Sequence, residues 1–310
     1  MATVTPQLIR ELRERTQAGM ADCKNALVEA EGDVEKAVEI ILKKGLAKSA
    51  KRAGAVATEG EIRATISDDG RFGVLVEVNI QTDFAARNDK FQQFLTDVRT
   101  LASQVRSHTE LLEARIPSTG KTVAVTRDEL IAMIGEKIDV RRFARIELAA
   151  PAGRVHSYVH LNGKIGVLLE VAAATDAVAQ HEAFLKFVDD TAMQIAAMSP
   201  VYLDSKQVPQ VEIDRQTEIF SEQVKGEGKP EKAWPKIVDG KLSKWYTEVC
   251  LVDQNSVIEN GKSVDQVRAE AAQAAGGAIK LLSFVRFQLG EGLARKDDDF
   301  AQEAQKMAGV

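Results

Sequence analysis

The chain has 310 residues, of which 45% are hydrophobic and 28% charged, and its 41 Lys and Arg against 46 Asp and Glu give a net charge of −5. A chain of this length is typical of about two domains and buries a core without disulfide support. Only Cys23 and Cys250 are present, which excludes a disulfide framework and a four-cysteine zinc site. No stretch approaches roughly 18 consecutive apolar residues, and the N-terminus lacks the apolar region of a secretion signal. We therefore expect a cytoplasmic protein with no membrane segment and no large nucleic-acid surface.

The first 45 residues have the pattern of three short helices. Thr5 is placed to cap the first helix, Gly19 separates it from the second, and Gly32-Asp33 separates the second from the third. Gly45 stands where a left-handed residue would end the third helix. The pattern predicts a small three-helix bundle.

Residues 46–60 are rich in small residues and follow or include a run of basic ones, from Lys43 to Arg52. We interpret this segment as a linker. Contact of the basic run with RNA or with an acidic partner remains an alternative.

An internal repeat is the most informative feature of the chain. Residues 60–98 align without gaps on residues 153–191. The identical pairs include Gly70/Gly163, Gly73/Gly166, Val74/Val167, Leu75/Leu168, Glu77/Glu170, Val78/Val171, Thr82/Thr175, Asp83/Asp176, Phe91/Phe184 and Phe94/Phe187. Each copy has the pattern of strand, turn, strand, loop and helix, with two-residue turns expected at Asp69-Gly70 and Asn162-Gly163. The repeat predicts a duplicated α+β core with antiparallel sheets.

Other elements are predicted between and after the copies. Thr126 and Glu129 form a capping-box pattern ahead of a helix, and a strand beginning at Arg141 leads towards the second copy. Residues 211–248 have the pattern of two polar helices in an antiparallel hairpin, divided around residues 226–230. A helix near 263–275 and a strand from residue 278 follow, and Asp297 opens a last helical segment.

Enzyme signatures are mostly missing from the sequence. It contains no phosphate-binding loop motif, no dinucleotide-binding glycine motif, no zinc-protease motif and no nucleophile elbow. His156 and His160 are close in sequence, but on a strand they lie too far apart for an easy metal site. Asp297-Asp298-Asp299 with Glu291 resembles a carboxylate cluster, although acidic residues at a helix start are explained by the helix dipole.

The loop after the second strand differs between the copies. The first copy has Thr82-Asp83-Phe84-Ala85, and the second has Thr175-Asp176-Ala177-Val178. Because Thr and Asp occur in both copies, we interpret them as helix caps. Phe84 has no aromatic counterpart, and it is either an exposed anchor for a partner's pocket or a local core residue.

Four segments resemble the bacterial translation elongation factor Ts family. They are ELRERTQAGMADCKNALVEAEGDVEKAVEIILKKG at residues 11–45, VNIQTDFAARND at 78–89, IGEKIDVRR at 134–142 and FVRFQLGEG at 284–292. The resemblance covers nearly the whole chain. It implies a guanine nucleotide exchange factor for elongation factor Tu, which is not an enzyme and needs no cofactor or metal of its own.

The resemblance also implies a division of the chain. A UBA-like three-helix domain with the basic linker would occupy residues 1–54, and the first core repeat residues 55–142. The second repeat would occupy residues 143–289, with a coiled-coil helical hairpin at about 186–248. A C-terminal helical module would follow at 290–310, and self-association through the hairpin stays open.

The resemblance assigns contacts to particular residues. In this family the loop that corresponds to Thr82, Asp83, Phe84 and Ala85 wedges into the partner's GTPase domain and displaces Mg²⁺. Arg10, Arg13 and Met20 match the family's N-terminal contact face, and His160 matches a histidine of the second half. Two residues depart from the family pattern, Ala85 in place of a valine and Leu161 in place of a glycine.

Two other classes of function compete with nucleotide exchange. An RNA-binding or ribosome-associated adaptor would use the basic run, and its binding would weaken steeply with salt. A wedge built around Phe84 would be less sensitive to salt. A metal-dependent hydrolase using the C-terminal acids would turn over substrate without a protein partner.

Overall fold

The computed structural model of the chain describes residues 4–16, 18–51, 54–228 and 230–293, with residues 46–51 described by their backbone only. The last helix predicted from Asp297, and nearly all of the 290–310 module, lie outside the described residues. Within the described ranges the fold is mixed, with helices packed on antiparallel sheets.

The N-terminal bundle consists of α1 (Pro6–Thr16), α2 (Met20–Glu29) and α3 (Val34–Lys51), as predicted. Its core includes the buried Leu12, Cys23 and Leu27. The predicted end at Gly45 is wrong, because α3 continues through it and Gly45 is not left-handed. The linker is accordingly shorter than predicted.

Gly45 is required by a close approach of two backbones. A Cβ at this position would lie 2.2 Å from the carbonyl oxygen of Ala132, so only glycine lets α3 lie against the helix that contains Ala132.

The first repeat forms a three-stranded antiparallel sheet in the order β1-β2-β3, with four helices between β2 and β3. Its elements are β1 (Glu59–Ile66), β2 (Phe72–Ile80), α4 (Asp83–Ala86), α5 (Asp89–Ala102), α6 (His108–Glu113), α7 (Val123–Ile134) and β3 (Ile138–Glu147). The strand predicted from Arg141 is therefore β3, and it belongs to the first sheet. The proposed boundary at residue 142 falls inside it.

Two local predictions for the first repeat are wrong. The capping box at Thr126 is replaced by Thr122, whose Oγ1 accepts the Val125 amide at 3.2 Å and starts α7 one turn earlier. The hairpin between β1 and β2 closes through residues 67–71 rather than a two-residue turn, because Ser67 and Asp69 bond to the backbone within the loop.

The second repeat forms a sheet in the order β4-β5-β6 and carries a longer helical segment. Its elements are β4 (Gly153–His160), β5 (Ile165–Ala173), α8 (Asp176–Gln180), α9 (Glu182–Met198), α10 (Gln210–Gly226), α11 (Trp234–Val249), α12 (Val264–Ala275) and β6 (Ile279–Gln288). The predicted hairpin helices are α10 and α11, which pack against each other. The predicted helix near 263–275 and the final strand are confirmed. The turn after β4 spans residues 161–164, not two residues.

The repeat is longer than the ungapped alignment. α7 and α12 are counterparts, since both end at a left-handed glycine, Gly135 and Gly276, and each is followed by the third strand of its sheet. The pairing of β2 with β3 and of β5 with β6 shifts register after the same aligned residue, Glu77 and Glu170. The α10–α11 hairpin interrupts the second copy between α9 and α12.

The two sheets face each other across a shared core that contains Ile62, Leu75, Val155 and Leu168. Gly73 and Gly166 permit this approach, because an added Cβ at Gly166 would lie 2.4 Å from a methyl of Ile62. Reciprocal backbone bonds join the copies.

In one bond Ile62 N–H donates to Gly163 O at 2.8 Å, and in the other Val155 N–H donates to Gly70 O at 2.7 Å. The donors and the acceptors are aligned residues. The two copies thus contact each other in the way that two identical subunits do.

Candidate functional site

Phe84 lies on α4, a helix of four residues between β2 and α5. With 83% of its surface exposed, it is the most exposed large hydrophobic side chain among the described residues. The alternative that Phe84 is a local core residue is therefore wrong. An aromatic ring held in solvent is available to a partner's apolar pocket.

The neighbours of Phe84 have different environments. Thr82 caps α4, as predicted, and its Oγ1 accepts the Ala85 amide at 3.2 Å. Asp83 is exposed, and its carboxylate lies 3.3 Å from Arg87 Nη2. Ala85 faces inward, retains 9% exposure and packs in the core of the first repeat. Phe84 and Asp83 therefore form the outward side of the loop.

The start of the loop is held by residues that the sequence did not indicate. The Glu136 carboxylate accepts the Thr82 amide at 3.0 Å and the Thr82 hydroxyl at 2.8 Å. The next residue along, Lys137, donates its amide to Gln81 Oε1 at 2.8 Å. Glu136 occurs in the IGEKIDVRR segment, but no spacing in the sequence pairs it with Thr82.

The equivalent loop of the second copy is closed differently. Thr175 caps α8 by accepting the Val178 amide at 3.3 Å, and Ala177 is exposed. Val178 is buried against Gly277, where an added Cβ would lie 2.7 Å from Val178 Cγ2. Both copies thus expose the same position, and only the first places an aromatic ring there.

The N-terminal residues singled out in the sequence lie on the surface of the bundle. Arg10 and Arg13 are exposed on α1, and Met20 begins α2 with 49% exposure. The bundle is joined to the first repeat by α3 packing on α7. A second link comes from Lys90 Nζ on α5, which donates to Arg15 O. Burial, with the Arg15 charge beside it, lowers the pKa of Lys90.

His160 lies at the end of β4, on the second repeat, and is exposed. Its Nδ1 is 2.8 Å from the Tyr158 hydroxyl, and the two rings stack at 5.7 Å between centroids. Leu161 has φ of +49° and is 65% exposed. This left-handed backbone favours glycine, the residue that the resemblance led us to expect at position 161.

The residues considered for metal chemistry have other partners. His156 Nε2 lies 3.1 Å from Asp189, and burial lowers its pKa. Glu291 pairs with Arg142 at 3.3 Å, and Asp297-Asp298-Asp299 lie outside the described residues. Where the structure is described, no group of three or more His, Cys, Asp and Glu side chains is placed to hold a metal ion.

The basic run is only partly described. Lys43 pairs with Glu39 at 3.4 Å, and Lys44 pairs with Glu29. The side chains from residue 46 to Arg52 lie outside the described part. No helix of the described ranges has the length and apolar character to cross a membrane.

Comparisons with known proteins agree on one family. A family model described as Elongation factor TS matches residues 81–291. The chain is similar to the Elongation factor Ts of Symbiobacterium thermophilum, with 43% identity over 310 residues and all of both chains covered. It is 42% identical to that of Clostridium perfringens over 308 residues, 99% of each chain, and 42% identical to that of Clostridium kluyveri over 306 residues, 98% of each.

Proposed function

The chain belongs to the elongation factor Ts family, and on that premise we propose that it promotes GDP release from elongation factor Tu by inserting Phe84 into the partner's GTPase domain. Family membership supports the role of a nucleotide exchange factor for elongation factor Tu in translation elongation. The exposure of Phe84 supports the insertion of this side chain.

The exposure of Phe84 supports an insertion. A Phe ring left in water forgoes roughly 1.5–3 kcal/mol that burial would provide. Each tenfold change in an equilibrium constant corresponds to about 1.4 kcal/mol. Burying this ring in the nucleotide-free partner therefore accounts for a change of about 10- to 100-fold in the affinity for GDP.

Exchange requires differential binding rather than covalent chemistry. The factor must bind the nucleotide-free partner more tightly than the loaded one, and GDP then weakens the factor as much as the factor weakens GDP. We assign Asp83 to the polar side of the inserted loop. Displacement of the partner's Mg²⁺ would remove the ion that screens the diphosphate charge, and so weaken GDP further.

The other predicted contacts complete the proposal. Arg10, Arg13 and Met20 would contact the partner from the N-terminal bundle, and His160 from the second repeat. Thr82 and Ala85 would act by holding α4, one as its cap and the other from the core. Self-association through α10 and α11, and coiled-coil packing between them, stay predictions.

The test is release of a fluorescent GDP analogue from purified elongation factor Tu, chased with excess GDP. The wild-type chain should accelerate release, and Phe84→Ala should lower the accelerated rate about 10- to 100-fold. Val211→Ala is the matched control, since Val211 is 72% exposed and lies on α10 of the second repeat, not on the loop of Phe84. An undiminished rate with Phe84→Ala would refute the insertion, and no acceleration by the wild type would refute exchange itself.

A further inference from the structure

Glu136 bonds to Thr82, although α4 is capped without it. Thr82 Oγ1 already caps the helix by accepting the Ala85 amide. Its hydroxyl proton and its backbone amide both donate to the Glu136 carboxylate, at 2.8 and 3.0 Å. One carboxylate therefore fixes the rotamer of Thr82 and the backbone that leads into Asp83.

The position of Glu136 is itself fixed by the end of α7. Gly135 ends the helix with φ of +83°, and its amide donates to Ile131 O at 2.9 Å. On the other side, the Lys137 amide donates to Gln81 Oε1. Two consecutive residues after α7 thus hold two consecutive residues before α4.

The second copy lacks this carboxylate. The residue after the left-handed Gly276 is Gly277, and the loop there closes by packing Val178 on that glycine. A backbone bond from Ala174 N–H to Ala278 O, at 2.9 Å, completes the closure. The copy that exposes Ala177 has no carboxylate at this place, and the copy that exposes Phe84 has one.

An isolated turn of four residues does not hold its own conformation in water. From these contacts we infer that Glu136 is a positioning residue for nucleotide exchange, which acts through Thr82 to hold Phe84 outward before the partner arrives. The inference rests on the proposed function of Phe84. A loop ordered in advance loses less entropy on insertion, so more of the burial free energy remains for coupling.

The exchange assay separates this role from general damage. Glu136→Ala should lower the accelerated GDP-release rate about three- to tenfold, the range expected for lost hydrogen bonds to a partly exposed carboxylate. Glu129→Gln is the matched control on α7, because Glu129 pairs with Lys121 at 2.6 Å and not with the loop; it should leave the rate within about twofold of wild type. In a Phe84→Ala background, Glu136→Ala should have no further effect beyond about twofold, since the ring it positions is gone.

Amide hydrogen exchange of the free chain provides the second readout. In Glu136→Ala the Thr82 and Ala85 amides should exchange about three- to tenfold faster than in wild type, with the amides of α5 unchanged. Full exchange activity of Glu136→Ala, or an equal loss in the Phe84→Ala background, would overturn the inference while leaving the role of Phe84 intact. If the wild type does not accelerate GDP release, the proposed function fails. Separately, unchanged hydrogen-exchange rates of the Thr82 and Ala85 amides in Glu136→Ala would refute the claim that Glu136 holds the loop.

Discussion

The loops that begin at Thr82 and Thr175 share a cap and differ in what they expose. Each threonine accepts the amide three residues on, and each loop turns its third residue to solvent. That residue is Phe84 in one copy and Ala177 in the other. The threonine caps that both copies keep serve the fold, whereas the aromatic ring that only the first copy has is one that the fold does not need.

The two copies also differ in the partners of the buried glutamates at the register shift, Glu77 and Glu170. Glu77 pairs with Arg141 at 3.0 Å and Arg142 at 2.5 Å, and it accepts the Gly290 amide. Glu170 instead accepts the Ala149 amide at 2.8 Å and the Ser283 hydroxyl at 2.6 Å. One glutamate is an ion-pair centre, and the other is a hydrogen-bond acceptor.

The largest predicted difference between the copies follows from these partners. Glu77→Gln removes the buried carboxylate that Arg141 and Arg142 share, although Arg142 keeps Glu291 at 3.3 Å, and should lower the free energy of unfolding by about 3 kcal/mol. Glu170→Gln loses one of the two acceptor oxygens, each of which bonds to a neutral donor, and should cost about 1 kcal/mol. Denaturant unfolding of the two variants measures both, and equal losses would contradict the distinction.

The N-terminal bundle covers only one copy. Ala132 on α7 is buried by α3, whereas its counterpart on α12, Gln273, is exposed. Gly45→Ala should therefore destabilise the chain by about 2 kcal/mol, because its Cβ meets backbone that cannot move aside.

Gly240→Ala is the control for Gly45→Ala. Gly240 lies in α11 with no atom near the added Cβ, so the change should raise the free energy of unfolding by about 0.5–1 kcal/mol. Thermal unfolding measures whether each variant is less or more stable than wild type. A Gly45→Ala variant as stable as wild type would mean that α3 does not pack this closely against Ala132 of α7.

A smaller difference concerns pH. Burial lowers the pKa of His156 below its ordinary value of 6.5, helped by Arg154 and opposed by Asp189. The unfolded chain then binds more protons than the folded one, so the stability that neutral His156 contributes is lost as pH falls from above 6.5. Thr96 is the counterpart of Asp189, and the first copy has Arg63 in place of His156.

His156→Gln should make the unfolding temperature less dependent on pH between about 7 and 5. Identical pH profiles for His156→Gln and wild type would contradict the burial effect.

The smallest expected effect comes from adding a ring to the second loop. Ala177→Phe in a Phe84→Ala background should leave GDP release within about twofold of Phe84→Ala alone, because the second loop lies on the other copy and has Gly277 where the first copy has Glu136. Recovery towards the wild-type rate in the same assay would mean that any exposed aromatic suffices.

Local patterns in the sequence were enough to predict much of this fold. The three N-terminal helices, the four repeat strands and the hairpin helices follow from glycine positions and apolar periodicity, which act over a few residues. The caps Thr82 and Thr175 follow from residues shared between copies. Each of these features depends on neighbours close in the chain.

The features that were missed depend on residues distant in the chain. The bond between Glu136 and Thr82 has no local pattern, and Gly45 has the sequence context of a helix end although a second helix requires it. The correspondence of α7 with α12 was hidden by the inserted α10–α11 hairpin. Which side of α4 faces the core, with Ala85 inward and Phe84 outward, was equally undecided before the structure.

Phe84 is proposed to distinguish nucleotide-free from GDP-bound elongation factor Tu. The most direct test compares the affinities of wild type and Phe84→Ala for the two forms of the partner, measured side by side by calorimetry. We predict that Phe84→Ala weakens binding to the nucleotide-free form about 10- to 100-fold and to the GDP-bound form less than about threefold. An equal loss for both forms would contradict the claim, since a ring that binds both equally well cannot expel GDP.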